Sequence, residues 1–144
     1  MRFPLSRFVF LISLALCFCS CQDRVGRICD RFGINLQRIH YKVVEKTDNW
    51  YPNGDGEFFV RLSFPLALKE ELNDVSNQMK NAGAIAMPML VQHSKRISGK
   101  NAQFVKNLDT GLYLIDVDKS DSRNYTIIVF DEVRKELVIQ TIVY

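Results

Sequence analysis

The last third of the chain places the strongest constraint on its fold. It contains three runs rich in β-branched and aromatic residues, GLYLIDV (111–117), NYTIIVF (124–130) and ELVIQTIVY (136–144). Such residues favour pleated sheets, and the short polar segments between the runs are typical of turns. The pattern predicts an antiparallel meander. Because the middle run is apolar on both faces, we expect it at the centre of the sheet.

An earlier pair of strands is predicted to form a hairpin. Apolar and polar residues alternate in RIHYKVVEK (38–46) and in EFFVRLSF (57–64). The segment between them, DNWYPNGDG (48–56), is rich in residues that favour turns, so we expect a hairpin with a long connection. One side of the second strand should carry Phe58, Val60, Leu62 and Phe64.

One main helix is expected after the hairpin. Pro65 suits a first helical turn, and Gly83 predicts the end of the helix. The residues at helical spacing between them are Leu68, Leu72, Val75 and Met79. The chain before the hairpin, from Asp23 to Phe32, also predicts a short helix ended by Gly33.

The segment between the helix and the meander has weaker signals. AIAMPMLVQ (84–92) predicts an edge strand, since Pro88 lacks a backbone donor, and residues 93–108 predict a loop with one helical turn near 101–107. The fold class that we predict is α+β, with a largely antiparallel five- to six-stranded sheet and one main helix packed on one face.

The N-terminus has the layout of a secretory signal peptide. The basic stretch MRFPLSR precedes an apolar run of 12 residues, 8–19. A membrane-spanning helix needs about 20 apolar residues. We therefore expect a signal peptide over 1–20, an N-terminal segment or short helix over 21–37, and a single α+β domain over 38–144.

Three cysteines, Cys17, Cys19 and Cys21, occupy every second position at the end of this run. The spacing fits neither the Cys-x-x-Cys pairs of zinc sites nor the geometry of a disulfide. Processing is the interpretation that remains.

The sequence FCSC at 18–21 resembles the processing site of a bacterial lipoprotein precursor, in which a small residue directly precedes the modified cysteine. Ser20 is such a residue, whereas bulky Leu16 and Phe18 precede the other two cysteines. The resemblance implies cleavage before Cys21 and lipidation of its sulfur. It also implies a location in the cell envelope, on a membrane surface facing the periplasm or the exterior.

Three phrases, NGDGEFFVRLSF, GLYLID and NYTIIVFDEVRKEL, together resemble a small uncharacterised bacterial family with a GDG hairpin and an Asn-aromatic-Thr strand. This second resemblance implies a compact α+β domain and no particular activity.

Charge argues against nucleic acid as a partner. The whole chain has a formal net charge of +3, which loss of Arg2 and Arg7 reduces to about +1. Phosphate association needs a much stronger basic surface. We expect the membrane and an envelope protein as partners, and no cofactor.

The candidate binding surface comprises aromatic residues on the hairpin loop together with an acidic and two basic residues: Trp50, Tyr51, Asp55, Lys95 and Arg96. Aromatic residues concentrate at binding hot spots, and packing demands on a loop are weak. The alternatives are aromatic rings folded over the sheet edge and a solvated basic loop.

Four residues that could supply oxygen ligands are weak candidates for a cation site: Asp48, Asn53, Asp55 and Glu57. An EF-hand alignment puts Tyr51 and Leu62 where acidic ligands are required. A plain turn is favoured, and no bound metal is expected.

Catalysis has one candidate nucleophile, Cys29, with His40 or His93 as its base. The surrounding residues match no catalytic motif. The sequence thus favours a membrane-anchored envelope lipoprotein with a non-catalytic binding or interaction domain. The alternatives are an extracytoplasmic enzyme using Cys29 with a histidine, and a secreted, soluble, inhibitor-like protein.

Overall fold

A computed structural model describes residues 24–144. Within that range, helix α1 covers residues 24–31 and is followed by nine further elements. These are β1 (Lys42–Trp50), β2 (Gly56–Ser63), α2 (Lys69–Asn81), β3 (Ile85–Ala86), α3 (Val91–Ser94), α4 (Ala102–Lys106), β4 (Leu112–Val117), β5 (Tyr125–Asp131) and β6 (Glu136–Val143). The predicted signal peptide, including Cys17 and Cys19, and the predicted lipidation site Cys21 lie outside the described residues.

The six strands form one open sheet in the order β1-β2-β6-β5-β4-β3, and every neighbouring pair is antiparallel. The α+β class and the largely antiparallel six-stranded sheet are therefore confirmed. All seven residues of β5 are buried, as expected for a strand with apolar residues on both faces.

Side chains of α1 and α2 fill the core on one face of the sheet. Val25 and Cys29 of α1 share a buried cluster with Leu72, Val75 and Met79 of α2. The sheet contributes its own side chains to that cluster, including the predicted set Phe58, Val60, Leu62 and Phe64. Residues 24–37 therefore pack against the domain that follows them.

The opposite face of the sheet is covered by the chain between β3 and β4. Ile97, Val105 and Leu108 pack there with Phe59 of β2 and Tyr113 of β4. Alternation along β2 explains the division, since Phe58 and Phe59 point to opposite faces. In the sequence, residues 93–108 look like a polar loop, yet they form a second layer over the sheet.

The structure corrects the start of the first strand. β1 begins at Lys42 instead of residue 38, because the chain turns at Leu36, whose carbonyl accepts a hydrogen bond from the Ile39 amide at 3.1 Å. The turn directs Ile39 into the core, whereas Val43 is 55% exposed.

The start of the main helix is also corrected. α2 begins at Lys69, so Pro65 precedes it, and Leu68 is 66% exposed at the N-cap. The Leu68 amide donates to the Glu71 carboxylate at 2.8 Å, which closes the first turn without burying Leu68. The helix end is as predicted, since Gly83 has a φ of +89°.

Of the three short elements between α2 and β4, the sequence predicted two. The predicted edge strand exists as the two residues of β3, and α4 occupies the predicted helical turn, but α3 was not expected. The described range holds four helices, of which α2, with 13 residues, is the longest. No helix between residues 24 and 144 has both the length and the apolar character needed to cross a membrane.

Candidate binding surface

Trp50 lies at the end of β1 against the first turn of α1. The Arg24 guanidinium stands over its ring, with 4.8 Å from Cζ to the ring centroid. Asp48 joins the two side chains, since its Oδ1 accepts hydrogen bonds from Arg24 Nη1 at 2.5 Å and from Trp50 Nε1 at 2.6 Å. The indole is therefore fixed in position, and 37% of Trp50 remains exposed.

Tyr51 begins the turn of the hairpin. Its amide donates to the Asp55 carbonyl at 2.8 Å, and its own carbonyl accepts from the Gly54 amide at 3.0 Å. Asn53 closes the turn through its Nδ2, which donates to Asp55 Oδ2 at 2.7 Å. The Tyr51 ring takes no part in this network and is 68% exposed, so it does not fold back over the sheet edge.

A cleft of about 490 Å³, called here the hairpin cleft, separates this turn from the loop before α4. Tyr51 and Asp55 line one side, and Lys100 and Tyr144 line the other. Gly99 and Glu57 are among the remaining lining residues. Two exposed aromatic rings and charges of both signs thus surround one opening.

Glu57 fastens the loop before α4 to the sheet. Its carboxylate accepts the backbone amides of Lys100 at 3.0 Å and Asn101 at 3.2 Å, and the Asn101 side-chain amide at 3.1 Å. Nε2 of Gln140, a fully buried residue of β6, donates to it at 2.9 Å. Gly99 permits this approach, because it has a φ of +87° and a Cβ there would stand 3.1 Å from the Glu57 carboxyl carbon.

Ser98 makes a second attachment of the same loop. Tyr125 of β5 donates its hydroxyl hydrogen to the Ser98 carbonyl at 3.0 Å and accepts from the Ser98 amide at 3.0 Å. Burial in the sheet raises the pKa of Tyr125 to about 12, so the phenol keeps its donor through the physiological range.

The four candidate cation ligands do not converge. In the register of the hairpin, Asp48 pairs with Phe58 and Asn49 with Glu57, so the carboxylates of Asp48 and Glu57 lie on opposite faces of the sheet. Asp48 bonds to Arg24, and Glu57 bonds to the loop. Among residues 24–144 no group of three or more His, Cys, Asp or Glu side chains is placed to hold a metal ion.

Lys95 and Arg96 lie away from the hairpin cleft. They line a shallow depression with Leu90 and Val91 near α3. His93 of α3 contacts the Tyr113 hydroxyl through Nδ1 at 2.8 Å. The structure thus places Tyr51 and Asp55 on one cleft, Trp50 against Arg24, and the two basic residues on a separate surface.

Cys29 is enclosed within the helical face of the core and is 0% exposed. Burial, followed by the nearby Asp30 carboxylate, raises the pKa of the Cys29 thiol to about 12. A nucleophilic cysteine needs a lowered pKa and access to substrate. His93 is bonded to Tyr113, which belongs to the core of the other face, and His40 is exposed. These observations weigh against the alternative of a cysteine-dependent enzyme.

Sequence reasoning did not connect three residues with the hairpin that shape this region: Arg24, Lys100 and Tyr144. Arg24 and Lys100 come from segments distant in sequence from the hairpin, and Tyr144 is the last residue of the chain. Gly99, isolated within a basic loop, was the one local sign that the backbone there approaches something closely.

Comparison of the chain with protein-family models, curated proteins and solved structures finds no match.

Proposed function

We propose that the chain is a membrane-anchored envelope lipoprotein, attached through Cys21, whose α+β domain binds another envelope protein or an envelope component without catalysis. The anchor holds the domain at a membrane facing the periplasm or the exterior. In this proposal α2 is the one main helix packed on one face of the sheet, and the hairpin cleft is the binding surface.

The observation that carries the proposal is the position of α1. Arg24, the first described residue, already belongs to α1, and Val25 beside it is 5% exposed within the core. Cys21 is only three residues earlier, and three Cα–Cα steps of about 3.8 Å span at most about 11 Å. A lipid on Cys21 would therefore hold a folded domain directly at the bilayer, without a long tether.

The hairpin cleft supports the binding role. It combines the exposed rings of Tyr51 and Tyr144 with the side chains of Asp55 and Lys100. Exposed aromatic rings are frequent at binding hot spots, and opposite charges at the rim select among partners. The Glu57 bonds fix one wall of this cleft before any partner arrives.

Metabolic labelling with an alkyne fatty acid, combined with membrane fractionation, tests the anchor. We expect the wild-type chain to carry label and to sediment with membranes, and Cys21→Ala to lose both. Cys19→Ala is the matched control and should retain both, since Phe18 precedes that cysteine. An unlabelled wild-type chain that stays in the soluble fraction would contradict the proposal.

A further inference from the structure

The two ends of the sheet differ in what they expose. One end carries the β1–β2 turn with Trp50 and Tyr51, next to Arg24. The other end carries the β5–β6 turn, because Ser63 at the end of β2 pairs with Glu136 at the start of β6. Leu66, Leu68 and Val133 are exposed on this second end, at 78%, 66% and 88%.

The proposed anchor lies near the first end of the sheet, which carries the β1–β2 turn. Arg24 bonds to Asp48, which pairs with Phe58 near the start of β2. From Phe58 to Phe64, at the far end, six residues of strand extend about 20 Å. Because Cys21 lies within about 11 Å of Arg24, the lipid must attach beside the hairpin turn.

We propose that the anchored domain rests on the bilayer with the hairpin tip patch, Arg24 and Trp50, in contact with the lipid headgroups. This inference rests on the proposed attachment through Cys21 and adds the orientation of the domain. The opposite end, with Leu66, Leu68 and Val133, then faces away from the membrane.

The chemistry of the patch suits a lipid surface. Tryptophan and tyrosine rings prefer the membrane–water interface, where the apolar ring meets acyl chains and the polar atom remains among headgroups. Trp50 has this arrangement, since its Nε1 is bonded to Asp48 while part of the ring stays exposed. A short attachment also removes much of the entropy cost of bringing this patch to the surface.

Trp50 is the single tryptophan of the chain, so its fluorescence reports this contact directly. The acylated protein would be purified from membranes and reconstituted into vesicles of phosphatidylethanolamine and phosphatidylglycerol, with and without brominated acyl chains. We expect a blue shift of the Trp50 emission, and the loss of most of its intensity in the brominated vesicles.

A double variant, Trp50→Phe with Val133→Trp, places the indole at the opposite end of the sheet, on an exposed turn that tolerates it. Its emission should be nearly insensitive to brominated lipid. Stronger or equal quenching in the double variant would overturn the inferred orientation, as would no quenching of Trp50 in protein whose mass shows the acyl group. Neither result would affect the acylation itself, so the orientation and the anchor fail separately.

Discussion

Side-chain direction within the hairpin explains why residues that are adjacent in sequence have different roles. Asp48 faces α1, whereas Asn49 and Glu57 face the loop before α4. The acidic cluster of the sequence is thereby divided between two faces, and both parts bond to distant segments. The turn residues Asn53 and Asp55 behave as the sequence predicted, because their bonds are local and depend only on neighbouring residues.

Cys29 provides a prediction at the same scale. The thiol is fully buried and its pKa is raised to about 12, so we expect almost no alkylation by iodoacetamide in the native protein at neutral pH. In concentrated guanidinium it should react completely. Peptide mapping by mass spectrometry measures both extents for Cys29 alone. Rapid alkylation of the native protein would restore the hypothesis of a cysteine nucleophile.

At the scale of elements, the sequence predicted the structure where the local signal was strong, and the prediction failed where long-range contacts decide the structure. β4, β5 and β6 follow from runs of β-branched residues, and Gly83 marks the end of α2. The predicted start of β1 was wrong because the chain turns between Leu36 and Ile39, and Ile39 is buried in a cluster with residues distant in sequence. The layer formed by residues 93–108 was missed, since Ile97, Val105 and Leu108 are too few and too widely spaced to give a periodic signal.

The Glu57 attachment predicts the behaviour of the loop before α4. Glu57→Ala leaves the amides of Lys100 and Asn101 without their acceptor, and we expect a loss of about 2–3 kcal/mol of unfolding free energy. Hydrogen exchange should accelerate at those two amides first. Glu70→Ala removes an exposed acid from the first turn of α2 and should cost about 0.3–1 kcal/mol. Equal losses for the two variants would show that the loop is held by other contacts.

The Tyr125 attachment predicts a dependence of stability on alkaline pH. The pKa of Tyr125 is about 12 in the folded protein and 10.0 as the ordinary value, so its contribution is full below pH 10 and is lost as pH rises toward 12. The total loss should be about 2–3 kcal/mol. Denaturant unfolding across this range should show a smaller decline for Tyr125→Phe than for the wild type. Tyr51→Phe, at an exposed position, serves as the control. A decline of the same size in Tyr125→Phe would refute the assignment.

At the scale of the whole molecule, both faces of the sheet are covered, so the described residues present their candidate surfaces at the sheet ends and loops. The sequence drew attention to Tyr51 and Asp55, which lie on the same cleft. It could not show that Lys95 and Arg96 lie on a separate surface, because their distance from the hairpin depends on the path of the chain over the sheet. The placement of α1 connects this architecture to the proposed anchor.

The intact mass of the protein extracted from membranes tests the anchor most directly. The account predicts a chain that begins at Cys21 and carries additional mass equal to a diacylglyceryl group, with or without a further acyl chain on its new amino group. The Cys21→Ala chain should show no such mass. A mature wild-type protein that begins at another residue and carries no lipid would contradict the account.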